Sequence, residues 1–249
     1  MKQAIFTFMM LIALVACTTK NKPATAVENQ EESTEASPDT LKHLSPVAIW
    51  EMPNISREEY ENNMNEMDEE ETDSDDSSLD YPLYDAMYSS YCSWYCGGYV
   101  DTLTASSCHR PEGGHTYEAA HAHDFDHESV WATEGKGIGE WLTFRFAGNC
   151  PRITSVGILN GHVKNEKSWR NNSRIKTMLM YYNGVPYRIL DLEDSRTMQW
   201  FDVDTLGYEP MSENAEAWRL KFEIREVYRG EKYDDAVIAD FLFDGIDVH

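Results

Sequence analysis

The chain has 249 residues, with 44 acidic side chains against 21 basic ones and a net charge of −23. So acidic a protein is not built to hold nucleic acid, because neutralising phosphates takes lysine and arginine. Composition also changes sharply along the chain, which excludes a single folded unit.

The opening MKQAIFTFMMLIALVAC places Lys2 before an apolar run from Ala4 to Val15 that is too short to span a bilayer, and ends in Leu14-Val-Ala-Cys17. Residues 1–17 resemble a bacterial lipoprotein signal with its lipobox. The resemblance implies that Cys17 becomes the lipidated (palmitate-bearing) first residue of the mature chain. The protein would then sit on the bacterial cell envelope, at the outer membrane or cell surface, held by acyl chains rather than by a membrane-spanning helix.

Residues 18–80 read as a disordered acidic stalk. Segments such as ENNMNEMDEEETDSDDSSLD have too little apolar surface to offset chain entropy, and residues 1–80 carry 18 acids against 5 bases. The apolar island around Ile49 and Trp50 is either a chance cluster or a short docking segment.

Beyond the stalk come Cys92, Cys96, Cys108 and Cys150, an even number that in an exported domain argues for two disulfides of undetermined pairing. The CSWYC spacing is unlike a paired zinc knuckle. Trp94 and Tyr95, between the first two cysteines, could be exposed or tucked inward. The stretch HAHDFDHESVW follows at 121–131, with His121, His123 and His127 set among acids. The Gly135-Lys-Gly-Ile-Gly139 stretch leads into WLTFRF instead of a helix, so it lacks the helix N-terminus a phosphate loop needs.

From residue 141 onward WLTFRF, ITSVGILNG, RIKTMLMYY, VPYRILDL, TMQWFDV, AWRLKFEIREVY and AVIADFLF all read as strands, rich in β-branched and aromatic residues. In RLKFEIREVY the alternation turns Leu220, Phe222 and Ile224 inward, with Val227 or Tyr228 following a bulge. Asn183-Gly184 is a two-residue hairpin signal. No sustained helical period appears, so the folded part is expected to be all-β, an antiparallel β-sandwich or jelly roll.

The order Thr104-Ala-Ser-Ser107, Tyr117-Glu-Ala-Ala-His-Ala122, Asp124-Phe-Asp126, Ser129, Trp131 and Gly139-Glu-Trp141 resembles the opening of discoidin-like, galactose-binding-like jelly rolls. Glu134 to Glu140, Asn160 to Arg174, Val227 to Asp235 and the ending Phe243-Asp-Gly245 narrow the resemblance to the NADase-type glycan-binding (translocation) domain, over residues 85–249. This resemblance implies a non-catalytic carbohydrate-binding module with Trp131 plugging the sandwich; it does not reach the NADase catalytic part, so no enzymatic activity is carried over.

The resemblance also implies a structural calcium ion, with Asp124, Asp126, Ser129 and the distant Asp240 as the matching positions. Hard oxygen donors suit that ion. Phe125 stands where such loops usually carry glycine, so a left-handed backbone there would be strained. Zinc on the three histidines is the rival, and a zinc-dependent hydrolase is the third functional reading.

For a glycan, the loop HVKNEKSWRNNSR sets Trp169 beside Arg170, Asn172 and Arg174, with Lys164 nearby, and so combines an aromatic face with planar donors. Trp169 could instead pack beneath the loop, with Asn172 and Arg174 stapling it. Tyr228 and Tyr233 offer a second rim. The competing reading is a protein-interaction module that uses the same loops on an envelope partner.

Overall fold

The computed structural model describes residues 40–51, 94–208 and 215–246. The expected signal, Cys17, Cys92 and most of the stalk lie outside them. Eleven strands are present among the described residues: β1 (His43–Leu44), β2 (Ala48–Glu51), β3 (Thr102–Ala105), β4 (Trp131–Ala132), β5 (Trp141–Phe146), β6 (Ile153–Asn160), β7 (Arg174–Tyr182), β8 (Val185–Asp191), β9 (Thr197–Leu206), β10 (Trp218–Tyr228) and β11 (Val237–Gly245). They form a six-stranded sheet ordered β1-β8-β7-β10-β5-β3 and a five-stranded sheet ordered β2-β9-β6-β11-β4. All pairings are antiparallel except β1 with β8. This is the all-β sandwich expected from the strand pattern.

Between the sheets the inward residues of each strand meet. Leu220, Phe222 and Ile224 of β10 face Phe144 and Phe146 of β5, Ile158 of β6 and Phe241 and Phe243 of β11 in one fully buried cluster. Phe146 stacks on Trp218 with ring centroids 4.3 Å apart. The expected bulge lies between Ile224 and Val227, and it returns Val227 to the core side. Trp131 is fully buried as the plug, its Nε1 donating to the Ser107 carbonyl at 2.9 Å. Trp94 is tucked inward as well, with no exposed surface and its Nε1 donating to the Pro151 carbonyl at 3.0 Å.

A second apolar cluster lies on the other face of the five-stranded sheet. Leu159, Met198, Val237, Ala239 and Leu242 alternate with the inward residues and are covered by Trp169 and Val163 from the loop after β6, with Tyr117 and Phe125 packed alongside.

The stalk reading needs correction over residues 40–51. The Lys42 carbonyl accepts from Ile189 and β1 adds parallel to β8, while three residues later β2 adds antiparallel to β9. This strap therefore crosses from the edge of one sheet to the edge of the other. Leu44 is the reason it docks: its side chain is buried in the inter-sheet core beside Leu190 and Leu192. The apolar island is a docking segment, and charge density in its neighbours concealed it.

Two further expectations change. Cys108 and Cys150 are both free thiols, so the two-disulfide framework is not formed. The Cys150 Sγ is buried and turned to the Tyr99 carbonyl, 3.7 Å away, and burial pushes its thiol pKa up. A short helix, α1 (Glu166–Asn171), also stands where only a loop was read.

Candidate functional site

The helix α1 starts because Asn165 caps it, its side-chain oxygen accepting from the Ser168 amide at 2.8 Å. Its far end is tied to the turn that precedes β11. Asn171 offers its carbonyl to the amides of Lys232 and Tyr233 at 3.1 and 2.8 Å, and Arg170 offers its own to Glu231 at 2.9 Å. Ser173 Oγ accepts from the Gly230 amide at 3.1 Å. The approach is so close that a Cβ on Gly230 would stand 2.4 Å from the Asn171 carbonyl oxygen, which only glycine avoids.

A third loop faces this pair. Its tip, Pro-Glu-Gly-Gly-His, closes through reciprocal backbone bonds between Glu112 and His115, with Gly113 and Gly114 at φ of 61° and 85°. His109 is fixed to the Ala132 carbonyl at 2.8 Å and meets Tyr117 edge-on with centroids 5.2 Å apart.

The three loops enclose an open cleft of about 470 Å³. Its floor is apolar, made by Val130, Ala132 and Val237 of the second cluster. Its walls are polar: His109, Glu112 and Tyr117 from the tip loop, His162, Asn165, Lys167 and Asn171 around α1, and Lys232, Tyr233 and Asp235 from the turn before β11. Tyr233 is 41% exposed, with Lys232 Nζ over its ring at 4.5 Å. Burial raises the Tyr117 pKa, and the negative charges of Glu112 and Asp235 add to the effect, so its hydroxyl stays protonated. His162 is held below its ordinary value of 6.5 by burial, then by Lys164 and His115.

The expected contact residues divide. Asn172 and Tyr233 line the cleft, although the Asn172 amide is committed to the Ser168 carbonyl at 2.8 Å. Trp169 is a correction. It is only 8% exposed and points under the loop, its Nε1 donating to the Asn160 carbonyl at 3.1 Å. Arg174 lies over the indole at 4.6 Å and makes a two-pronged pair with Asp194 at 3.0 and 2.9 Å. Both are staples of the loop, because a ring with apolar sheet beneath it gains more by burial than by exposure. Arg170 pairs with Glu166 at 2.6 Å, Lys164 with Glu128 at 3.1 Å, and the Tyr228 hydroxyl donates to the Leu192 carbonyl at 3.0 Å. None of Arg170, Lys164 and Tyr228 lines the cleft. The tip loop and His162 were missed; the tandem glycines of PEGGH, which mark a tight projecting turn, were the available signal.

Beside the second cluster, where Phe125 packs against it, sit the expected calcium positions. Asp124 accepts from Ser129 Oγ at 2.7 Å and pairs with His121 at 2.8 Å. Asp126 caps the turn by accepting from the Glu128 amide at 3.0 Å. Phe125 takes the left-handed conformation, φ 61°, despite being no glycine, and is held by edge contact with Tyr95 at 5.2 Å. In β11 the register slips between Ile238 and Asp240, and this bulge aims Asp240 to the Leu159 side of the sheet. Asp240 is fully buried; one carboxylate oxygen accepts from the Phe241 amide while Oδ2 has no hydrogen-bond partner. Burial first, then the charges of Asp124 and Asp126, raise its pKa well above the usual carboxylate range.

The donor chemistry fits a hard cation, an orphaned buried oxygen with two further acids in electrostatic reach. Among the described residues, however, no group of three or more His, Cys, Asp or Glu side chains is gathered closely enough to hold a metal. Zinc fares worse, since His121 bonds Thr116 and Asp124 while His123 Nδ1 donates to the Phe241 carbonyl at 2.6 Å.

Solved structures similar to this chain include the two carbohydrate-binding modules and M60 catalytic domain of Clostridium perfringens ZmpB, at 10% identity and a TM-score of 0.43, covering 61% of this chain. This chain spans only 14% of that protein. A C. perfringens CBM32 module in complex with GalNAc-β-1,3-galactose aligns at 16% identity and a TM-score of 0.41, over 58% of this chain and 94% of its own. No curated protein matches. The model of the NAD glycohydrolase translocation F5/8 type C domain matches residues 94–244. That span is more than half of the 249 residues and runs from the buried Trp94 to the last strand, so the chain belongs to the NAD glycohydrolase translocation F5/8 type C domain family.

Proposed function

We propose that the protein binds carbohydrate, without transforming it, in the cleft between the tip loop, α1 and the turn before β11. The observation that carries this reading is the makeup of that cleft: an apolar floor, two tyrosines and a ring of amide, carboxylate and ammonium groups, of which Asn165 and Asn172 are bonded within the loop and Lys232 Nζ donates to the Tyr233 hydroxyl at 2.5 Å. The Asn171 side chain, Lys167 and Asp235 make no side-chain hydrogen bond or ion pair among the described residues. A pyranose needs this combination, apolar contact for its ring and paired donors and acceptors for its hydroxyls. Membership of the family supports binding without catalysis.

Display from the envelope, through a lipid on Cys17, is part of the same proposal, since many weak sites on one surface bind together far more tightly than one. A glycan array probed with the full chain tests the function. Binding to at least one glycan class is expected, and Tyr233→Ala or Asn171→Ala should reduce it by about tenfold, the effect of losing one or two good contacts. Silence of the folded wild type across neutral, amino and acidic glycans would refute the proposal.

A further inference from the structure

Charges in the cleft are arranged to favour one class of sugar. The domain is acidic, and many of its cations are paired: Arg145 with Asp101, Arg174 with Asp194, Lys176 with Glu226, Arg188 with Asp204, and Lys221 and Arg225 with Glu223. Lys167 and Lys232 stand together at the cleft. Both line the cleft, and neither meets an acid within ion-pair distance among the described residues. The bonds that lock α1 to the turn before β11, from Asn171 to Lys232 and Tyr233 and from Arg170 to Glu231, hold the two lysine backbones on adjoining walls.

In a chain of net charge −23, two ammonium groups that face one cavity without an ion-pair partner are local positive centres that an entering anion can meet. The two cleft acids do not neutralise them. Glu112 and Asp235 are gathered about Tyr117, whose ionisation both oppose. Lys167 on α1 and Lys232 on the turn thus share one opening with both acids, and Lys232 Nζ donates to the Tyr233 hydroxyl at 2.5 Å.

Resting on the carbohydrate reading above, we infer that this cleft selects an acidic sugar, a ring whose carboxylate or sulfate lies between Lys167 and Lys232 while its hydroxyls meet Asn171, Asp235 and Tyr117. A lysine pair suits either anion, because each ammonium acts as a point charge and not as a planar fork. Hydroxyl groups, in turn, need the acceptors that Glu112 and Asp235 supply.

Titration calorimetry of the full chain against three matched oligosaccharides tests this: an oligogalacturonate, its neutral galactose counterpart and the sulfated galactose counterpart. At low salt at least one acidic form should bind about tenfold more tightly than the neutral one, and the advantage should shrink as salt screens the lysines. Lys167→Gln and Lys232→Gln should each lower affinity for the acidic sugar by a larger factor than affinity for the neutral one, removing most of that advantage, while Lys→Arg at the same positions should retain it. Comparing the two acidic arms identifies which anion is taken. Equal affinity for acidic and neutral forms, or a preference that survives both glutamine variants, overturns the acidic specificity alone. Failure of all three sugars to bind, with glycan-array silence, overturns the carbohydrate reading and this inference together.

Discussion

Burial makes Asp240 hold its proton far above the pH at which a free carboxyl would lose it. In metal-free protein the folded form keeps a proton that the unfolded chain has released, so stability falls as pH rises above the ordinary carboxylate range. A bound cation would reverse that cost, and we propose a calcium ion taken chiefly by Asp240, Ser129 and loop carbonyls, since no three acids among the described residues are gathered closely enough to hold it by themselves. Calcium should raise the unfolding temperature of the wild type at neutral pH, and Asp240→Asn should abolish the rise while being no less stable than wild type in chelator. Identical midpoints with and without calcium would dismiss the ion. His162 shows the opposite sign. Its pKa is lowered by burial and by Lys164 and His115, against a smaller opposing pull from Glu128. The unfolded chain therefore takes up the proton first, and stability present above about pH 6.5 is lost as pH falls through the lowered value. Thermal melts of His162→Gln should show a smaller loss between neutral and mildly acidic pH than those of the wild type.

At the scale of elements, the strap of β1 and β2 lies outside the family match at 94–244, yet it completes the edges of both sheets. Unpaired edges invite wrong pairing, so the strap both adds core and protects. Leu44→Asp places a charge into the core cluster and should cost about 2–4 kcal/mol, read as a lower denaturation midpoint; an unchanged midpoint would show that the strap is not part of the cooperative unit. The strands from β5 to β11 were legible because period-2 alternation and the Asn183-Gly184 turn are local signals, and β5 and β7 begin and end where the sequence pattern places them. Neither α1 nor the strap was legible. A six-residue helix shows too little periodicity to read, and its existence rests on the Asn165 cap and the burial of Trp169. The strap was hidden by acidic neighbours, since one buried leucine decides its docking.

At the scale of the molecule, the cleft assembles residues from 109 to 237 that no spacing rule links. Strand alternation, the buried tryptophan plug at 131 and the ordered motifs that identify the family are properties of neighbouring residues, and the sequence by itself determined them. Which aromatic faces solvent was decided only in three dimensions: Trp169 and Tyr233 sit in equally polar loops, but the first finds the apolar face of the five-stranded sheet beneath it and the second does not. The bulge that turns Asp240 toward the 124–126 loop, and the glycine-permitted approach that sets Lys232 beside α1, are likewise long-range events. Burial and pairing depend on what the rest of the chain brings alongside, and only the packed tertiary structure supplies that.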